Sequence, residues 1–179
     1  VSVTNLIVRH KFGNGGPTIA LNAHGDVVPP GDGWSFDPYG GEVKDGRMYG
    51  RGVAVSKSDI ASFTFALDAL KAAEKAGAKL NGTVELHFTY DEEFGGLVGP
   101  GYLLEQKATK PDFVIGASFS YAIVTAHNGC LQFEVTVHGT ATHGSMPETG
   151  HDALQAANAI LNAIYGKLPD LGKIKSKVA

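Results

Sequence analysis

Cysteine is almost missing from this sequence. The single Cys130 allows no intrachain disulfide and no thiolate zinc cluster. A lone thiol is compatible with a reducing compartment. Long apolar runs are missing too: no stretch approaches the roughly 18 consecutive apolar residues of a membrane-spanning helix. Neither sign of charge dominates, since 15 Lys and Arg face 18 Asp and Glu for a net charge of −3. Without a basic stripe, nucleic acid is excluded as a main partner. The chain opens Val1-Ser2-Val3 with no basic or apolar leader, so the expectation is a cytoplasmic protein without membrane attachment. Gly50-Arg51-Gly52 lacks the third glycine of a dinucleotide fingerprint. There is no Gly-x-Ser-x-Gly nucleophile elbow and no His-Glu-x-x-His pair.

What is present is an apolar fraction of 43% over 179 residues, enough for the core of one domain, or of one domain and part of another. Glycine is in excess: 24 residues, about twice the usual share and without a collagen period. Such glycines mark turns and close backbone approaches, hence a loop-rich face where chemistry can sit.

Extended and helical patterns alternate along the chain. Strands are expected at residues 18–23 and 83–90, where apolar and polar residues alternate, and at the short apolar runs in 5–9 and 113–115. Residues 27–41 carry Pro29, Pro30, Gly31, Gly33, Pro38, Gly40 and Gly41 and read as loop. Asp45-Gly46 predicts a hairpin over 42–49. Ile60, Phe63, Leu67, Leu70 and Ala73 recur at helical spacing over 59–75, with Ser56 and Asp59 resembling a capping box at the start. A short helix is expected near 101–106. After Gly129 the character changes: Leu131 to Val137 alternates as a strand, and a helix is expected over 152–165. Strands separated by helices predict a layered α/β domain. The domain division is placed at 1–127 and 128–179, and the second part, one strand and one helix, cannot bury a core by itself.

Three elements carry possible chemistry: His24-x-Asp26 at one strand end, Glu92-Glu93 at another, and His143 in a loop. Ligands of α/β sheets gather at strand ends. An imidazole can bind a metal while a carboxylate two residues on holds the ring. Of paired glutamates, one can ligate the metal and the other take a proton from water. Each element alone also has a plain structural role, as a turn, a solvated loop or a helix start.

Their order is informative. The runs LNAHGDVVPPGDGWSFDP, DGRMYGRG, FTYDEEFGG and VTVHGTATHGSMPETGHDAL resemble the M20 metallopeptidase family of aminoacylases, acetylornithine deacetylases, succinyl-diaminopimelate desuccinylases and glutamate carboxypeptidases. The resemblance runs from about Leu6 to Tyr165. It implies a layered α/β/α catalytic domain, incomplete here, and the beginning of an inserted α+β lid domain through which copies pair. It implies zinc, one or two ions, with His24 and Glu93 as metal ligands. Glu92 becomes the general base, Asp26 the carboxylate supporting the site, and His143 the lid histidine that helps hold the oxyanion. The implied reaction is hydrolysis of an amide bond in a small-molecule or peptide substrate.

The sequence departs from the family pattern at two ligands. Val55 stands where the family places an Asp that bridges both metals, and an alkyl side chain cannot ligate zinc. Ala117 and Ser118 stand where another acid is expected. A final family histidine would lie beyond Ala179. Asp59 and His127 are weighed as replacement ligands, with helix capping the plainer role for Asp59. Two expectations follow: a metallohydrolase with an altered site, inactive as this chain alone, or a metal-poor relative that binds an amino-acid-like or peptide ligand without turnover.

Overall fold

The computed structural model describes residues 2–118, 123–125, 133–171 and 173. Contacts divide the chain into two compact units, Val1–Tyr121 and Ala122–Ala179.

The first unit is built on a four-stranded mixed sheet. Its strands are β1 (Leu6–Phe12), β2 (Thr18–His24), β5 (Gly82–Thr89) and β6 (Phe113–Gly116), in the order β1-β5-β2-β6. β5 runs antiparallel to β1 and parallel to β2, and β2 runs parallel to β6. A separate hairpin, β3 (Glu42–Lys44) and β4 (Arg47–Tyr49), turns at Asp45-Gly46. Both turn residues have positive φ, 52° and 73°, the conformation that makes Asp-Gly a hairpin signal. Helix α1 (Lys57–Lys75) crosses from the loop region back to β5, and a short α2 (Tyr102–Glu105) precedes β6.

The period-two alternation gives the sheet two different faces. Ile19, Leu21 and Ala23 of β2 lie beside Val84, Leu86 and Phe88 of β5. This apolar face packs on α1. The buried cluster is Phe12, Leu67, Leu86 and Phe88, with Leu21, Ile60, Phe63, Leu80 and Val84 around it. The other face pairs Ala20, Asn22 and His24 with Glu85, His87 and Thr89. Over it lie Pro100, Leu103, Leu104 and Thr109, which line a small chamber of about 120 Å³ with Asn22 and His87. The expected layered α/β fold is therefore present, one face apolar and one polar.

The polar face is held by a buried network. Arg9 Nε donates to Glu85 Oε1 at 2.6 Å, and His87 Nε2 lies 2.7 Å from Glu85 Oε2. Thr109 also donates to Glu85, and Arg9 donates to the Ala108 carbonyl. Glu85, His87 and Thr109 are all buried. The network thus joins β1, β5 and the segment leading into β6. A buried carboxylate is tolerable there because its oxygens are paired.

Some expectations need correction. α1 begins at Lys57, and Ser56 occupies its N-cap position without a side-chain capping bond; the capping box is absent because the Ser56 hydroxyl is used elsewhere, as described below. In the second unit, α3 (Ala153–Leu171) runs beyond the expected end at Tyr165. Asp152 caps its start, its Oδ1 accepting from the Leu154 and Gln155 N–H groups at 2.8 and 3.1 Å. The expected strand over 131–137 does not form among its described residues 133–137; the pairing recorded nearby is one bridge, Thr140 to His151. Alternation alone does not make a strand without a partner to satisfy its backbone. Residues 131 and 132, Cys130, His127 and all of the basic tail except Lys173 lie outside the described residues. No residue of α3 is buried. No helix among the described residues is long and apolar enough to cross a membrane.

Two predictions follow from this packing. Leu86→Ala should cost about 2–5 kcal/mol of stability, read from urea unfolding. The second concerns Glu85. Burial pushes its carboxyl up, but hydrogen bonds from Thr109, Arg9 and His87 and the Arg9 charge outweigh this and hold it below the usual value. Ionised Glu85 then stabilises the fold at neutral pH, and that contribution fades as pH falls through the lowered folded value. Unfolding midpoints should decline below about pH 4, and Glu85→Gln should be less stable at pH 7 with a shallower acid decline. Equal acid slopes in both proteins would contradict this role.

Candidate metal centre

β2, β5 and β6 run parallel, so their C-terminal ends open on the same side of the sheet. A cleft of about 360 Å³ sits there, lined by Asn22, Ala23, His24, Val55, Glu92, Glu93, Gly116, Ala117 and Ser118. His24 is the last residue of β2 and is 8% exposed. Its ladder continues one step further, with the Gly25 N–H donating to the Thr89 carbonyl at 2.8 Å.

Asp26 connects the two strand ends. His24 Nδ1 faces its carbonyl at 3.1 Å and its Oδ1 at 3.3 Å. Its Oδ2 accepts the Glu93 N–H at 3.0 Å. With Nδ1 hydrogen-bonded to the Asp26 carbonyl, a pure acceptor, the imidazole proton belongs on Nδ1 and the Nε2 lone pair faces the cleft. Nε2 lies 3.6 Å from Glu92 Oε2, too long for a hydrogen bond. Gly25 fits because a Cβ would come within 2.1 Å of the Tyr90 ring.

Ser56 performs a role that its position in the sequence hid. It is fully buried, and its Oγ accepts the His24 N–H at 3.1 Å. The residue read as a helix cap is instead a pin between the start of α1 and the end of β2. Asn22 was also missed: its Nδ2 reaches the His87 carbonyl and Thr89 Oγ1, both at 3.4 Å. Its alternation with His24 on the polar face was the available signal.

His24, Glu92 and Glu93 each offer a ligand atom, and these atoms lie within 4.8 Å of one another. Donors at 2.0–2.2 Å from one tetrahedral zinc lie roughly 3.3–3.6 Å apart, so small side-chain rotations suffice. A buried imidazole with its lone pair facing two carboxylates is a donor set that suits a divalent cation. The geometry therefore includes Glu92 as well as the expected pair. Val55, Ala117 and Ser118 do line the same cleft. Asp59 is not among its lining residues or in the donor group. It lies in the first turn of α1. His143 belongs to the second unit, where it is exposed, with Nδ1 2.8 Å from Ser145 Oγ.

An imidazole and two carboxylates at the strand ends of an α/β sheet are a donor set that could hold a divalent cation, placed where ligands of such sheets gather. Comparison narrows this. Residues 20–176 match the model of peptidase family M20/M25/M40, and the chain belongs to that family. It is 32% identical over 181 aligned positions to a succinyl-diaminopimelate desuccinylase of Gluconobacter oxydans, covering 96% of this chain and 46% of that protein. A protein of the same name from Sulfurimonas denitrificans is 36% identical over 155 positions, covering 82% of this chain and 40% of that one. The structure is similar to an M20 family metallo-carboxypeptidase from Sulfolobus solfataricus, with a TM-score of 0.50 and 27% identity over 62% of this chain and 25% of that one. The chain spans less than half the length of these relatives.

The Ser56 pin gives a direct test. Ser56→Ala leaves a buried His24 N–H without its acceptor and should cost about 1–3 kcal/mol in chemical unfolding. A loss below a few tenths would show that the hydroxyl is not needed there.

Proposed function

We propose that the chain is part of a metal-dependent hydrolase of amide bonds, with a metal site altered from the family pattern. The convergence of His24, Glu92 and Glu93 at the strand ends carries this reading. His24 and Glu93 would hold a divalent cation, zinc being the family expectation. Bound there, such a cation supplies Lewis acidity that polarises a carbonyl and makes water acidic near neutral pH. Asp26 keeps the His24 proton on Nδ1 and, through the Glu93 N–H, fixes the spacing of the two ligands. Glu92, more than half exposed, takes the proton of the attacking water and passes it to the leaving amine. His143 is assigned a hydrogen bond to the oxyanion, in a site completed by a second copy of the chain. On this reading the second unit is the beginning of a lid through which copies pair.

The substrate class is an amide beside a carboxylate-bearing group. The relatives named as succinyl-diaminopimelate desuccinylases make N-succinyl amino acids the first substrates to assay. A second reading has a specific observation in its favour. Val55, Ala117 and Ser118 line the cleft where the resemblance calls for acids. That supports a relative with weak metal binding that holds an amino-acid-like or peptide ligand without turnover.

Metal analysis and an assay of the longest protein carrying this chain separate the two. Zinc-loaded protein should retain metal and hydrolyse N-acyl amino acids, and Glu92→Gln should keep the metal while losing about 10²–10⁴-fold in rate. Tight binding of an N-acyl amino acid with no metal and no turnover would favour the second reading.

A further inference from the structure

Glu92 and Glu93 open a single 3-10 turn, Glu92–Phe94, and the chain that follows it returns to the residue just before them. Asp91 follows β5 by two residues and is 6% exposed. Its carbonyl accepts the Phe94 and Gly96 N–H groups at 3.1 and 2.9 Å. Its carboxylate Oδ2 accepts the Val98 N–H at 2.6 Å. From outside, Asn5 Nδ2 donates to the Val98 carbonyl at 2.8 Å. The return path needs Gly95 and Gly96, whose φ values of 105° and 75° are left-handed. Gly99 then passes so close that a Cβ would lie 2.0 Å from Asp91 Oδ1. Oδ1 itself is buried with no hydrogen-bond partner among the described residues.

A buried carboxylate without a cationic partner is costly. A loop merely needing to close could do so through backbone bonds. We propose that Asp91 is a positioning residue for the Glu92–Glu93 pair: its carboxylate ties the far end of the loop to the end of β5. This fixes the loop from behind, while Asp26 fixes Glu93 from the front. The inference rests on the reading of Glu92 and Glu93 as the site's carboxylates. Asp91 does not reach the cleft itself, since it is absent from the cleft's lining residues. It acts through the two glutamates. Preorganised donors bind a metal more tightly because less ordering remains to be done on binding.

The test uses the 179-residue chain with four substitutions: Asp91→Ala, Asp91→Asn, Gly99→Ala and, as a control for general destabilisation, Leu86→Ala. Amide hydrogen exchange is measured over residues 92–98 and over the rest of the chain, and zinc affinity by calorimetric titration. Asp91→Ala should raise exchange in 92–98 about tenfold above any change elsewhere and weaken zinc binding by about 10–100-fold. Asp91→Asn, whose amide oxygen can still accept the Val98 N–H, should restore most of both. If Asp91→Ala does not fold, Gly99→Ala decides, because its Cβ would displace Oδ1 and should give the same localised loosening. A rise in exchange shared evenly by all segments, as in the control, would overturn the proposal. So would unchanged exchange and zinc affinity. If the unsubstituted chain binds no zinc, the metal reading fails, and the exchange comparison still decides the role of Asp91.

Discussion

The site depends on one residue, Asp26, bridging two strand ends. Asp26 accepts from the ring of His24, at the end of β2, through its backbone carbonyl, and from the backbone N–H of Glu93, beyond β5, through its carboxylate Oδ2. These bonds set the imidazole tautomer and hold the two ligands on one wall of the cleft. A metal donor is useful only when its lone pair points at a shared centre, and neighbouring acceptors achieve that without covalent constraint. The arrangement needs β2 and β5 adjacent and parallel, so that His24 and Thr89 come level in register. That register is fixed by the apolar face: a slip by one residue would turn Leu21 and Leu86 away from α1 and put Asn22 and His87 in the core.

The sheet separates stability from chemistry by side. The α1 face buries Phe12, Leu67, Leu86 and Phe88 and supplies the hydrophobic driving force. The opposite face carries Arg9, Glu85, His87, Thr109, Asn22 and His24, tied by hydrogen bonds. Polar groups there are satisfied locally, so the strand ends can present His24 without an unpaired buried network behind it. Ser56 adds a third anchor, from the first residue before α1 to the His24 N–H. Its neighbour Val55 lines the cleft, so the same junction that secures the imidazole also brings an alkyl wall to it.

Much of this was legible in the sequence. The alternation of Ile19, Leu21 and Ala23, the helical spacing of Ile60, Phe63 and Leu67, and the Asp45-Gly46 turn all record short-range rules, and those elements form where expected. His24, Asp26, Glu92 and Glu93 lie at strand ends that two parallel strands bring together, and their residue types suit a metal. Three features were not legible. The hydroxyl of Ser56 had two possible partners, one local and one across the fold, and only the tertiary contact revealed which it takes. Nothing local sets Asp91 apart in the run Asp91-Glu92-Glu93; its burial and its bond to the Val98 N–H come from the return of the chain. Residues 133–137 alternate as a strand would, but a strand also requires a partner, which no local pattern contains.

The account's central claim is that His24 and an adjacent glutamate hold a divalent cation in the cleft, oriented by Asp26. Zinc-edge X-ray absorption of the zinc-loaded chain tests it most directly. The claim predicts one imidazole nitrogen at about 2.0–2.1 Å among oxygen donors at about 2.0–2.2 Å, with the nitrogen lost in His24→Ala. A zinc bound through several imidazoles, unchanged by His24→Ala, would contradict it.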